Sequence, residues 1–196
     1  MTTADLSPAA AKAAFRGHIR AVRRSRDDAD RVRATGALAA RTLPLLAGAE
    51  RVACYLSMPD EPGTSALIDL LRQRGVRITV PRVQGLSLEW VEWTDTTTFT
   101  AGAFGISEPE GPPLSHGLDD CDAIVIPALA VSHAGMRLGQ GGGYYDRALE
   151  SVPLQSDGGP ARIALVFDDE ILDAVPHEPH DSRMDNAVTP ERVLSF

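Results

Sequence analysis

The sequence predicts an α/β fold built on a largely parallel sheet, and three observations carry that prediction. Short apolar runs at 51–56, 76–80, 123–126 and 163–167 alternate with segments of helical period. Runs that are apolar on both faces are what strands buried in a parallel sheet require. The stretch RLGQGGGYYDR, from Arg137 to Arg147, sets four glycines within five residues between the 123–126 run and a segment able to form a helix.

Ser7 and Pro8 read as an N-cap and a first-turn proline, opening a helix that runs to about Arg26. Phe15, Ile19 and Val22 share one face of it, and Lys12, Arg16, Arg20 and Arg23 form a second, cationic stripe. A second helix covers 30–43 and ends near Pro44, so residues 1–46 form a helical amino-terminal part. A strand at 51–56 leads into the loop SMPDEPG at 57–63. Thr64 then caps a helix carrying Leu67, Ile68, Leu70 and Leu71, with Gly75 past its end. The 76–80 strand is terminated by Pro81, and 88–93 alternates as a strand with a split face. Residues 94–119 are turn-rich. After the 123–126 strand and the glycine loop, a helix covers 144–150, a loop 151–160, and a buried strand 163–167. Residues 176–185 are polar, and 187–189 and 192–194 form short closing strands. Ligands of such sheets bind at the carboxyl ends of the strands, so the loops 57–63, 129–143 and 168–185 are expected to converge on one site.

The chain's 196 residues fit a single domain with a substantial core. No apolar run approaches the ~18 residues that span a membrane, and the amino terminus lacks the basic start and apolar core of a secretory signal. Cys54 and Cys121 lie in or beside apolar runs and read as reduced core residues, which with the missing signal makes the cytoplasm the expected compartment. The net charge of −8 is uneven. Residues 1–41 carry nine Lys/Arg against four acids, a balance of +5, which leaves −13 for the rest. A basic segment of this kind suits nucleic acid or an anionic small molecule. The acidic body argues against a broad nucleic-acid footprint, and for most of the arginines a solvated helix face is the expectation.

A strand, a glycine-rich loop and a helix in this order suit phosphate, because main-chain N–H groups and the helix dipole both favour an anion. Arg137 adds a cation. Tyr144 and Tyr145 suit a wall against a ring, and Asp146 could hold magnesium on the phosphate. The motif is neither a Walker loop nor the G-x-G-x-x-G fingerprint, and a flexible surface turn is the competing reading.

Further stretches join it. Lys12-Ala13-Ala14-Phe15-Arg16 precedes Tyr55-Leu56-Ser57-Met58-Pro59-Asp60-Glu61, then Pro81-Arg82 and Gly105-Ile106-Ser107-Glu108-Pro109. Ile126-Pro127-Ala128-Leu129-Ala130 leads into the glycine motif, and His180-Asp181 and Val188-Thr189-Pro190 close the series. In this order, over nearly the whole chain, they resemble the 5-formyltetrahydrofolate cyclo-ligases, also called methenyltetrahydrofolate synthetases. The resemblance implies one three-layer, Rossmann-like α/β domain over 1–196. It also implies a reaction in which ATP and magnesium convert 5-formyltetrahydrofolate, in mono- or polyglutamyl form, to 5,10-methenyltetrahydrofolate, ADP and phosphate. The formyl oxygen takes the γ-phosphoryl group, folate nitrogen ten closes the ring, and phosphate departs. Such chemistry asks chiefly for alignment and charge neutralisation, and no general acid or base is evident.

By the same resemblance, Lys12 and Arg16 contact the phosphates of ATP. Arg137 and Tyr145 stand at the reacting groups on the nucleotide side, and Gly139, Gly141, Gly142 and Gly143 surround the phosphates and the formyl group. Gln140 and Tyr144 face the folate, with Tyr144 and Tyr145 between the two substrates. Leu56 gives the folate an apolar wall, and Glu61 accepts hydrogen bonds from the pterin. Asp146 and Asp181 hold the metal. Three positions depart from the family pattern. Pro62-Gly63 replaces a Val-Asp pair. Gly142 stands where some members carry lysine, so Arg82 or Arg147 is expected to supply the cation. Phe104 stands near a tryptophan of other members. A monomer without nucleic-acid or membrane partners is expected.

Other readings stay open at this point. A phosphosugar isomerase or acyl-transfer enzyme on a similar scaffold needs a phosphate loop but neither a metal aspartate nor a Lys/Arg pair. An idle folate- or nucleotide-binding protein binds without turnover. A nucleic-acid binder using the arginine helix shows salt-sensitive affinity.

Overall fold

The computed structural model describes residues 8–102, 105–178 and 181–196. The Ser7 cap, Phe104 and His180 lie outside them. In chain order the elements are α1 (Pro8–Arg24), α2 (Asp28–Thr42), β1 (Arg51–Cys54), α3 (Ser65–Gln73), β2 (Arg77–Gln84), β3 (Ser87–Glu92), β4 (Phe99–Ala101), β5 (Ser107–Pro109), β6 (Ala123–Pro127), β7 (Ala130–Ser132), β8 (Arg137–Leu138), α4 (Tyr144–Leu149), β9 (Ala161–Leu165), β10 (Ile171–Leu172), β11 (Asn186–Val188) and β12 (Val193–Ser195).

Seven strands form the central sheet in the order β12-β11-β9-β6-β1-β2-β3. The five inner strands run parallel, and β3 and β12 pair antiparallel at the two edges. The strands are apolar on both faces because both faces are covered. Val52, Cys54 and Val125 pack with Leu38 of α2 and with Leu67, Ile68 and Leu71 of α3. Ala53, Ile124 and Ile126 face the other way, toward Leu149 of α4 and Val152. The result is the three-layer α/β arrangement expected from the sequence.

Topology places the site. From β1 the chain crosses through α3 to β2 on one side, whereas β6 and β9 lie on the other side of β1. The carboxyl ends of β1 and β6 therefore flank a topological switch point, where sheets of this kind open a crevice.

Several local expectations need correction. Pro81 does not end β2, which continues to Gln84. Pairing with β1 stops at Thr79. The Trp93 N–H donates to the Ile78 carbonyl, which puts Pro81, opposite Trp90, at a non-hydrogen-bonded position of the β2–β3 ladder. No ladder donor is lost there, so proline is tolerated. Thr64 precedes α3 but does not cap it with its side chain; its Oγ1 donates instead to the Tyr55 carbonyl at 2.8 Å. Residues 94–119 contain the β4–β5 hairpin. The 129–143 segment contains β7 and β8, so Arg137 sits on a strand and the glycine loop does not leave β6 directly. The helix after the loop has six residues and Gly143 as its left-handed N-cap. Its dipole is correspondingly short, and it adds little to anion binding.

Helix α1 departs furthest from expectation. Of its apolar face only Ile19 is buried, against Leu129, Leu138 and Val175, while Phe15 is 37% exposed. The cationic stripe turns inward instead, and Arg23 is 1% exposed. Arg23 donates through Nε and Nη2 to the carboxylate of Glu170 and through Nη2 to the Ala128 carbonyl. Burial opposes the charge, yet hydrogen bonding and attraction to Glu170 hold the Arg23 pKa above its ordinary value.

Candidate active site

A cavity of about 660 Å³ opens at the switch point. It is lined by Tyr55 and Leu56 after β1, Pro127 at the end of β6, the glycine loop, the inward face of α1, and Glu178 and Asp181. The three loops singled out from the sequence do converge. Every site residue expected from the sequence lines this one cavity: Lys12, Arg16, Leu56, Glu61, Arg137, Gly139, Gln140, Gly141, Gly142, Gly143, Tyr144, Tyr145, Asp146 and Asp181.

The two buried cations of the cavity wall are internally neutralised. Lys12, 5% exposed, donates to Glu178 Oε2 and to Asp181 Oδ2, each at 2.7 Å. Burial works to lower its pKa, but its hydrogen bonds to these two carboxylates, and their charge, hold it above the ordinary lysine value. Arg137, also buried, donates through Nη1 to the Pro127 carbonyl at 3.2 Å and pairs through Nη2 with Asp146. Two of the three cations expected to meet phosphate, Lys12 and Arg137, are thus already beside a carboxylate expected to meet the metal, whereas Arg16 donates to a main-chain carbonyl. Among the described residues, no group of three or more His, Cys, Asp or Glu could hold a metal by itself.

The glycine loop is oriented by its carbonyls. Arg16 Nε donates to the Gly139 carbonyl at 2.9 Å, Arg20 Nη2 to that of Gln140 at 2.6 Å, and Arg147 Nη2 to that of Gly142 at 2.9 Å. The Gly143 carbonyl accepts from the Arg147 N–H at 3.0 Å. Within the described residues, none of the N–H groups of 139–143 is hydrogen-bonded, so the donors stay available for an anion. Glycine is required here for two reasons. Gly141 has φ +107°, and a Cβ on Gly139 would stand 2.6 Å from Arg137 Nη1.

Glu61, 6% exposed, lines the same cavity and meets the glycine loop through Gln140. Its Oε2 accepts from the Met58 N–H at 3.0 Å and its Oε1 from Gln140 Nε2 at 3.1 Å. Burial pushes its pKa up against these two donors, which favour the charged form. The Pro62-Gly63 departure is accommodated. The Tyr55 hydroxyl donates to the Pro62 carbonyl at 2.5 Å, and Gly63 packs directly on Thr35 of α2. Apolar walls come from Leu56, Met58, Val83, Leu88 and Ile106. Tyr145 meets Trp90 edge-on at 6.1 Å. Its hydroxyl is buried without a hydrogen-bond partner among the described residues, and burial drives its pKa well above 10.0, which keeps it a proton donor.

The expected replacement for a loop lysine is corrected. Arg82 pairs with Glu89 at 2.6 Å, and Arg147 is occupied with Leu86 and Gly142 carbonyls; neither lines the cavity. Arg20 lines it instead. Sequence reasoning gave no site role to Arg20, Val83, Leu88, Ile106, Glu108 or Glu178. Arg20 was signalled by its place one turn beyond Arg16. Val83 and Leu88 were hidden by ending the strand at Pro81.

Comparison with known proteins identifies the family. The model of the 5-formyltetrahydrofolate cyclo-ligase family matches residues 8–190. A 5-formyltetrahydrofolate cyclo-ligase of Mycolicibacterium smegmatis is 38% identical over 150 residues, covering 73% of this chain and 75% of the relative. The Escherichia coli K12 cyclo-ligase is 28% identical over 163 residues, covering 79% and 86%. The solution structure of the Aquifex aeolicus 5,10-methenyltetrahydrofolate synthetase superposes with a TM-score of 0.80 at 25% identity, covering 94% of this chain and 92% of that one. The Mycoplasma pneumoniae synthetase shares the fold, with a TM-score of 0.71 at 17% identity over 91% and 98%. The chain therefore belongs to the 5-formyltetrahydrofolate cyclo-ligase family.

Proposed function

We propose that the protein converts 5-formyltetrahydrofolate to 5,10-methenyltetrahydrofolate with ATP and magnesium, releasing ADP and phosphate. The observation that carries the proposal is what one cavity wall brings together. Buried cations and unpaired loop N–H groups share it with a buried carboxylate and apolar side chains. A triphosphate suits the cations and N–H groups, and a pterin suits the carboxylate and the apolar side chains.

Lys12, Arg16 and Arg137 bind the phosphates, and the N–H groups of Gly139, Gly141, Gly142 and Gly143 surround the transferring group. Glu61 accepts from the pterin amino group, Leu56 packs on the ring, and Gln140 and Tyr144 face the folate. Asp146 and Asp181, both on the cavity wall, would hold magnesium, which takes one or two carboxylates and completes its shell with phosphate oxygens and water. Bound there, the ion would draw charge from the phosphates. Lys12 and Arg137 then exchange carboxylate partners for phosphate, so no cation is left uncompensated in the buried site.

The formyl oxygen attacks the γ-phosphorus, and the bond to ADP breaks. Nitrogen ten attacks the formyl carbon and loses its proton. The carbon–oxygen bond breaks, and phosphate leaves with that oxygen. Arg137 and the protonated Tyr145 hydroxyl neutralise the moving charge. Because the cavity draws residues from Lys12 to Asp181 of one chain, we take the protein to act as a single domain and as a monomer. The test mixes the purified protein with 5-formyltetrahydrofolate, ATP and magnesium. Methenyl absorbance is expected in step with ADP, and binding of both substrates without product would overturn the proposal.

A further inference from the structure

The Gln140 carboxamide joins two elements that are otherwise separate. Its Oε1 accepts from Arg20 Nε at 3.0 Å, and its Nε2 donates to Glu61 Oε1 at 3.1 Å. The same guanidinium holds the Gln140 main-chain carbonyl through Nη2 at 2.6 Å. Arg20 thus fixes both the backbone and the side chain of one residue. An amide has one acceptor end and one donor end. With its oxygen committed to Arg20, Gln140 must turn its N–H toward Glu61. Without Arg20 the amide is free to turn over and bring its oxygen against the carboxylate. Glu61 is buried, and among the described residues its other hydrogen bond comes from the Met58 N–H. Loss of the amide donor leaves one carboxylate oxygen without it.

We infer that Arg20 is a positioning residue for the folate end of the site, acting through Gln140 to fix the Glu61 carboxylate. This rests on the proposed meeting of Glu61 with the pterin. Arg20 follows Arg16 by one turn and lines the same cavity, so its competing role is a direct phosphate contact. The two roles separate by substrate. If Arg20 acts through Gln140, Arg20→Met raises KM for 5-formyltetrahydrofolate roughly tenfold, the value of one charge-assisted hydrogen bond. KM for ATP then rises less than KM for the folate.

The experiment measures both constants for Arg20→Met, Gln140→Met and the double variant, with calorimetric binding of 5-formyltetrahydrofolate in the absence of ATP. The double variant should bind folate no worse than Gln140→Met alone, because Arg20 reaches Glu61 only through the Gln140 side chain. Arg20→Lys, which keeps a cation and a donor, should recover part of the folate affinity and guards against a misfolded methionine variant. Multiplicative losses in the double variant, or a rise confined to KM for ATP, would overturn the inference. Glu61→Gln separates the two levels. If it leaves folate binding unchanged, the proposed role of Glu61 fails. If it weakens folate binding while Arg20→Met does not, only the positioning role fails.

Discussion

Gly63→Ala tests how the Glu61 loop is held. Gly63 lies outside the left-handed region, so alanine suffers no backbone strain there and the effect is steric. Its Cβ would stand 2.2 Å from Thr35 Oγ1, 2.9 Å from Cγ2 and 3.1 Å from Cβ. Thr35 Oγ1 donates to the Arg31 carbonyl at 2.9 Å, so turning the side chain away gives up a bond. The alternative is for the loop to retreat from α2, carrying Pro62 away from the Tyr55 hydroxyl. Overpacking of this kind costs about 1–3 kcal/mol. At roughly 2–4 °C per kcal/mol for a chain of this size, Tm falls by about 2–12 °C. Because Glu61 is two residues away, KM for 5-formyltetrahydrofolate should rise more than KM for ATP. Thr35→Ala removes both γ atoms and leaves only the 3.1 Å contact, so Gly63→Ala with Thr35→Ala should recover most of the loss. The assay is thermal unfolding of the two single variants and the double one. A double variant as unstable as Gly63→Ala alone would refute the steric account.

The remaining predictions concern charge. Arg137→Ala should raise KM for ATP about 10–100-fold, the worth of one or two charge-assisted bonds, and KM for folate far less; equal rises in steady-state kinetics would point to a collapsed loop. Asp146→Asn should leave the circular dichroism unchanged and raise the magnesium concentration needed for half-maximal turnover; wild-type turnover at limiting magnesium counts against the metal role. Arg23→Met should cost about 3–5 kcal/mol in denaturant unfolding by stranding the buried Glu170 carboxylate, and Glu170→Met in the same chain should restore much of it. The folded pKa of Glu61 lies above its ordinary 4.5, so its stabilising contribution is full below that value and is lost as pH rises through the folded pKa. As pH rises from the ordinary value through the folded pKa, the stability of wild type relative to Glu61→Gln should therefore decline.

Much of the fold was legible because burial on two faces leaves a mark in the chain. The runs at 123–126 and 163–167 could only be inner strands, and β6 and β9 are those strands. The cavity was legible because glycine, arginine and aspartate stand in sequence on one short segment. Helical period correctly put Lys12, Arg16, Arg20 and Arg23 on one face, but period does not say what lies opposite. Glu170, which receives Arg23, is 147 residues further along the chain, and Asp181, which receives Lys12, is 169. A solvated face was the natural expectation, and tertiary pairing reversed it. Pro81 misled for a related reason. A missing N–H ends a strand only where a partner needs it, and the phase of the β2–β3 ladder is set by pairing. The strands β7, β8 and β10 are two or three residues long, too short to show a period.

The most direct measurement follows the formyl oxygen. With 5-formyltetrahydrofolate carrying ¹⁸O in the formyl group, the released phosphate is analysed by mass spectrometry while methenyl product and ADP are counted. Transfer of the γ-phosphoryl group to that oxygen predicts one labelled phosphate for each methenyl product and each ADP. Product formed with unlabelled phosphate, or ADP released without product, would contradict the account.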